Sequence, residues 1–301
     1  MNETPIEDRP TLKDAGLDFQ RFAYFTRPFA AIPRPLAKDL SSRLPADEDL
    51  HWVRFEMLLE RLKSGDFSAA EDILSMCRKT ENWRMKDVAT RVLGHAGTVA
   101  CFRHMREELE QHPMRRQERI DVAYRESVLL YCRAFALWGR LDVVPVLMDQ
   151  YLTLRLKKTP EISSLPILMA ELLMDDRKTM IAHEPPEDSL EDYLNLVMNQ
   201  YDEVTAKHGS EKVFIYRGDI FSVRAIAERM RHLTTRYPAA ELARLRERFE
   251  PATGIDCSVI FSGERVSTLA AATIAESFLE SDEAKKFEPG KRYFFGHPLP
   301  E

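Results

Sequence analysis

Gly97 and Gly139 stand 42 residues apart, and each closes a run of apolar residues set at helical spacing. Met85, Val88, Ala89, Val92, Leu93 and Ala96 precede the first glycine, and Tyr124, Val128, Tyr131, Cys132, Phe135 and Trp138 precede the second. A second stripe follows each: Val99, Phe102, Met105 and Leu109 up to Pro113, then Val143, Val144, Leu147, Tyr151 and Leu154 behind Asp142, the expected N-cap. An earlier couple reads the same way, with Leu50, Val53, Met57, Leu58 and Leu62 before Lys63-Ser64-Gly65-Asp66 and Phe67, Ala70, Ile73, Leu74 and Cys77 after it. Short links make each couple an antiparallel helix hairpin, and one such hairpin cannot bury its apolar face alone.

The spacing falls in the roughly 40–47 residue period of HEAT and armadillo-type repeats. The expectation is therefore a mainly α chain of stacked antiparallel helix pairs, a HEAT/armadillo-like α-solenoid, spanning residues 46–209; a plain helical bundle is the alternative. Ser163-Ser164-Leu165-Pro166 opens one further helix, and after His183-Glu184-Pro185-Pro186 a long helix carries Leu190, Tyr193, Leu194, Val197, Met198 and Tyr201 to Gly209.

Two segments fall outside the stack. Residues 1–45 hold Pro5, Pro10, Pro28, Pro33, Pro35 and Pro45, which deny them a long helix, yet bring Phe19, Phe22, Tyr24, Phe25 and Phe29 together. Those aromatics are expected to pack on the first helices, with a partner-binding arm as the rival reading. Residues 210–301 form a small strand-containing element. Within it, Lys212 to Arg217 and Cys257 to Ser262 are β-rich runs, each followed by a glycine, a serine and a helix. Aligning Tyr216–Ala225 with Phe261–Ala270 predicts a duplicated strand, turn and helix, and whether the two strands pair with each other, as a small sheet capping the stack, is left open by the sequence. The final stretch from Glu288 to Pro300 reads as a loop held by Tyr293, Phe294 and Phe295.

A net charge of −6 counts against a dedicated nucleic-acid or anionic-membrane binder. No apolar run approaches the roughly 18 residues of a membrane span, and MNETPIEDRP is acidic where a secretory signal is basic, so a cytoplasmic protein with no membrane partner is expected. Cys77, Cys101, Cys132 and Cys257 are widely spaced, which suits reduced thiols in apolar surroundings.

Signatures of phosphate or dinucleotide binding, serine hydrolases, zinc peptidases and kinases are absent from the sequence, so no catalytic residue and no cofactor is assigned. His95, Cys101 and His104 come nearest to a metal set but lack a second ligand pair, and Cys257 with His297 lacks any reason to meet. The arginines between residues 213 and 250 are interleaved with acids and read as a solvated charged face, with intramolecular ion pairs or a local anion-binding face as the alternatives. Glu184, Glu187, Asp188, Glu191 and Asp192 surround the start of the long helix. They serve the helix dipole, and they also form an acidic knob suited to a basic partner. Trp83, beside Asn82 and Arg84 at a helix start, is a further candidate anchor.

The segment from Leu168 to His232 carries Leu172-Leu173, Ile181-Ala182-His183-Glu184-Pro185, Tyr193-Leu194-Asn195-Leu196-Val197-Met198, Tyr201, Gly209 and Phe214 through Gly218 to Phe221-Ser222-Val223. In that cadence it resembles the helical immunity proteins of bacterial polymorphic-toxin systems. The resemblance covers about a third of the chain and implies a protein that binds a cognate toxin domain and occludes its active site. Competing classes are a HEAT-like scaffold or adaptor and a HEAT-like nucleic-acid-binding protein or DNA glycosylase.

Overall fold

The computed structural model describes residues 48–80, 83–112, 122–156, 164–174, 190–233, 238–262 and 265–300. Within them the chain is mainly helical, in the order α1 Glu48–Lys63, α2 Ala69–Lys79, α3 Trp83–Ala96, α4 Val99–Gln111, α5 Val122–Trp138, α6 Val144–Leu156, α7 Ser164–Leu173 and α8 Leu190–His208. A hairpin of β1 Ile215–Tyr216 and β2 Asp219–Ile220 then leads to α9 Val223–Arg231 and α10 Pro238–Thr253. After β3 Phe261–Ser262 and β4 Arg265–Val266 come α11 Thr268–Glu280, then β5 Tyr293–Phe294 and β6 His297–Pro298.

These elements belong to two compact units, one drawn from residues 1–76, 223–287 and 293–298, the other from 77–222, 288–292 and 299–301. The first helix pair thus shares a unit with the C-terminal helices, a different cut from the boundary at residues 209 and 210 that the composition change suggests.

In the second unit α5 lies between α3 and α7, while α6 and α8 both pack on α7. Closeness of α3 and α5 depends on Gly94, where a Cβ would stand 2.7 Å from the Leu137 Cβ. The Phe102 ring stacks on Trp138 at 4.0 Å and 8°, Phe214 meets Trp138 edge-on at 6.1 Å, and the Arg140 guanidinium covers the Trp138 ring at 4.2 Å. Asp142 does not cap α6, because its carboxylate is taken by Arg140 through two bonds of 2.7 and 2.6 Å and residues 141–143 form a 3-10 turn first.

In the first unit α9 packs on α10 and α11. Phe249, Phe278, Phe287 and Tyr293 form a chain of tilted and edge-to-face rings at 5.1, 5.5 and 4.8 Å. The face that α1 buries holds Phe55, Leu58, Leu59 and Leu62, whereas Met57, expected inside, is 65% exposed. Gly65, at φ 88°, turns the chain from α1 toward α2 beneath the His297 ring.

Three short hairpins punctuate residues 215–298, and the first two each lead into a helix, α9 and α11. Among the described residues each strand pairs with the next strand in sequence, which answers the question left open by the sequence: residues 215–216 pair with 219–220, and 261–262 with 265–266. Ile215 pairs with Ile220, Phe261 with Val266, and Tyr293 with Pro298. Flanking bonds repeat as well: Phe221 N–H to Phe214 O at 2.8 Å, Ser267 N–H to Ile260 O at 2.9 Å, and Leu299 N–H to Arg292 O at 3.0 Å. The third copy lies in the stretch read from sequence as a loop.

Two of these hairpins have the same second task. Arg217 and Gly218 (φ 57° and 74°) and Phe295 and Gly296 (φ 50° and 77°) give the primed turn geometry that suits two-residue hairpins. Their successive amides donate to the last turn of a helix: Arg217 and Gly218 to Glu171 O and Leu172 O of α7, Phe295 and Gly296 to Pro251 O and Ala252 O of α10. Helix ends leave such carbonyls without intrahelical donors, so each turn serves as a C-terminal cap. Arg292 serves α3 likewise, its Nη2 donating to Gly94 O and His95 O at 2.6 Å.

Candidate functional site: the outward face of α8

Among its apolar residues, α8 buries Tyr193, Val197, Tyr201 and Val204, three or four apart, and this stripe fixes what faces away. Tyr193 meets Tyr151 of α6 edge-on at 5.5 Å, and the helix ends at Gly209 with φ 70°. The opposite side exposes Glu191, Asp192, Asn195, Met198, Asn199, Asp202 and Glu203. None of its four carboxylates forms an ion pair with another described residue, although surface pairs are common elsewhere, as in Arg61 with Asp66 at 2.7 Å and Arg106 with Glu110 at 2.7 Å. Lys207, the cation nearest the end of this face, is engaged by Asp219 at 2.6 Å and by Gly218 O at 3.2 Å.

The four acids are not equivalent. Glu191 and Asp192 lie in the first turn, where the helix dipole stabilises negative charge by roughly 0.3–1 kcal/mol each. Asp202 and Glu203 lie in the C-terminal half, away from the first turn, so the helix dipole gives no reason for their charge. Of the residues expected to bind a partner, Glu191 and Asp192 stand exposed on this face. Glu184, Glu187 and Asp188 lie outside the described residues, and so does the side chain of Trp83, whose backbone opens α3. Asn195, Asn199, Asp202 and Glu203 were legible only as the complement of the apolar stripe.

The remaining polar clusters have structural settings. Cys101 is fully buried, with its amide taken by the Thr98 hydroxyl at the start of α4, and no group of three potential metal ligands occurs among the described residues. His297 packs over Gly65, while Cys257 is fully buried near Glu250. The solvated-face reading of the arginines fails for Arg217, Arg246 and Arg248, each no more than 5% exposed. Arg246 pairs with Glu250 inside the core at 2.6 Å, and its guanidinium covers the Phe261 ring at 5.4 Å.

Burial dominates the titration of the thiols and phenols. It pushes the Cys77 thiol up to about 12 and moves Cys132 and Cys257 upward too. Such protonated thiols are poor nucleophiles. Tyr131, which donates to Glu108 at 3.2 Å while Arg78 grips the same oxygen at 2.8 Å, is also shifted upward by burial. Among the described residues no helix is long and apolar enough to cross a membrane. No protein-family model, no curated protein and no solved structure matches this chain.

Proposed function

We propose that this is a protein-binding protein that recognises a cationic surface on its partner through the outward face of α8. The observation that carries this reading is the pair Asp202 and Glu203, exposed, without ion-pair partners among the described residues, and placed beyond the first turn, where the helix dipole gives no reason for negative charge. Exposed charges that serve no contact among the described residues fit an electrostatic footprint for a basic partner, where complementarity speeds association and selects the partner. Met198, 36% exposed between the acidic ends, supplies an adaptable apolar contact.

The layering of α5 between α3 and α7 supports an extension of the same reading, in which helix pairs stack as a HEAT-like array and hold α8 rigidly. Taken with the resemblance of residues 168–232 to polymorphic-toxin immunity proteins, the partner we infer is a cognate bacterial toxin domain whose active site the protein occludes.

The test is capture of the partner from native cells on the full-length protein, followed by affinity measurement with Asp202→Lys/Glu203→Lys. The double charge reversal is expected to weaken binding at least tenfold at low salt and to flatten its salt dependence. Unchanged affinity removes α8 from the interface. For the toxin reading, co-expression with a toxin domain encoded by a neighbouring gene is expected to restore growth, and absence of protection overturns it.

A further inference from the structure

Lys207 follows Glu203 by four residues on α8, and both side chains are exposed. A glutamate and a lysine so spaced, with the acid on the N-terminal side, are neighbours on the helix surface in the order that favours an ion pair. Lys207 does not make that pair. Its ammonium donates to the Asp219 carboxylate at 2.6 Å and to Gly218 O at 3.2 Å. His208 Nε2 lies 3.0 Å from the same Gly218 oxygen, so two side chains from the last turn of α8 converge on one carbonyl of the β1–β2 turn. The turn itself is fastened elsewhere: Gly218 N–H donates to Leu172 O of α7 at 2.7 Å, Arg217 N–H to Glu171 O at 2.9 Å, and Asp219 stands in register with Tyr216. Lys207 thus has a long carboxylate on its own helix on one side, and a shorter one on an anchored turn, with a carbonyl beside it, on the other. Exposed ion pairs are weak, so the second acceptor and the smaller loss of side-chain freedom decide for Asp219.

We propose that Asp219 is a positioning residue for the α8 face: by holding Lys207 it keeps Glu203 unneutralised, and the surface offered to a cationic partner stays acidic. The inference rests on the α8 reading and deepens it, because it assigns the charge of that face to a residue outside the helix. The hairpin then has two duties, capping α7 through its amides and withdrawing a cation from α8 through Gly218 O and the Asp219 side chain.

Asp219→Ala in the full-length protein tests this, with an oligolysine peptide at low salt as the cationic probe. The released Lys207 is expected to turn to Glu203 and weaken oligolysine binding at least threefold. Lys207→Met/Asp219→Ala, which keeps the parent's net charge, is expected to bring binding back to within twofold of the parent. Unchanged binding in Asp219→Ala overturns the proposal. So does a double variant as weak as the single one, since the loss then comes from the Asp219 charge itself. NMR of the lysine ammonium groups gives a reading that needs no partner. The Lys207 signal is expected to respond to Glu203→Gln in the Asp219→Ala background and not in the parent; the same response in both backgrounds overturns the proposal. If the NMR result holds while Asp202→Lys/Glu203→Lys leaves oligolysine binding unchanged, Asp219 does hold Lys207 and it is the α8 reading that fails.

Discussion

Gly209 and Gly218 have almost the same backbone, φ 70° and 74°, and opposite surroundings. A Cβ on Gly209 would meet nothing within 4 Å, whereas one on Gly218 would stand 2.7 Å from Leu173 O. Gly209→Ala should therefore cost only the left-handed penalty of about 1–2 kcal/mol. Gly218→Ala should cost clearly more, since the clash also breaks the amide cap on α7; urea unfolding of the two variants checks the order. The hydroxyls of Tyr151 and Tyr193 are buried and have no hydrogen-bond partner among the described residues. Replacing Tyr193 by Phe removes an unsatisfied buried group and keeps the ring contact, so stability should hold or rise by up to about 1 kcal/mol in the same assay. The thiols set an alkaline limit. Cys77 ionises near 9.0 when unfolded and near 12 when folded, so its contribution is whole below pH 9 and is lost as pH rises toward 12. Cys132 and Cys257 shift in the same direction. Each such group should steepen the fall of unfolding free energy by about 1.4 kcal/mol per pH unit in that window, and Cys77→Ala should shallow the slope by one proton.

Among the elements, α2, α3, α5 and most of α6 could be read from the chain, because their apolar residues recur at the helical period and Gly65, Gly97 and Gly139 punctuate them. Face assignments were less secure. Met57 and Met198 belong to the periodic series but lie outside, since a stripe several residues wide fixes a helix's buried arc only to within one neighbour. Strand pairing was open in the sequence and is settled by a physical reason: partners only a few residues apart close with little loop entropy, so hairpins win over a long-range ladder. The Phe295-Gly296 dipeptide was a visible signal for the third hairpin, as an X-Gly pair of the same kind as Arg217-Gly218, but the aromatics around it suggested packing alone. Arg292 was invisible as a helix cap, being 197 residues from His95 in sequence. Arg292→Met should leave the carbonyls of Gly94 and His95 without their donor and cost about 2–4 kcal/mol, with hydrogen exchange rising first at the C-terminal end of α3.

At the scale of the whole chain, helical segments are legible from apolar periodicity, whereas the grouping of those segments into units is not. Periodicity reports that a face must be buried and is silent about its partner. Thus the acidic face of α8 could be anticipated from residues 191 and 192, while Asp202 and Glu203 joined it only once the helix was seen to continue with that face outward. Because the face contributes nothing to packing, Asp202→Lys/Glu203→Lys should leave the midpoint of thermal unfolding within a few degrees of the parent, as surface substitutions do. A large fall would place these carboxylates in the fold and not in recognition.

The unit that holds both the first helix pair and the last hairpin has a temporal meaning. On the ribosome, Phe55, Leu59 and Ile73 emerge early, and the helices and hairpin of their unit emerge only after residue 222. For most of synthesis the later part of their unit is missing, while residues 77–222 form a nearly continuous unit that can close first. A chain stopped before Tyr293 lacks the Phe295 and Gly296 amides that close α10, so translation must run almost to its end before the beginning of the protein can be completed.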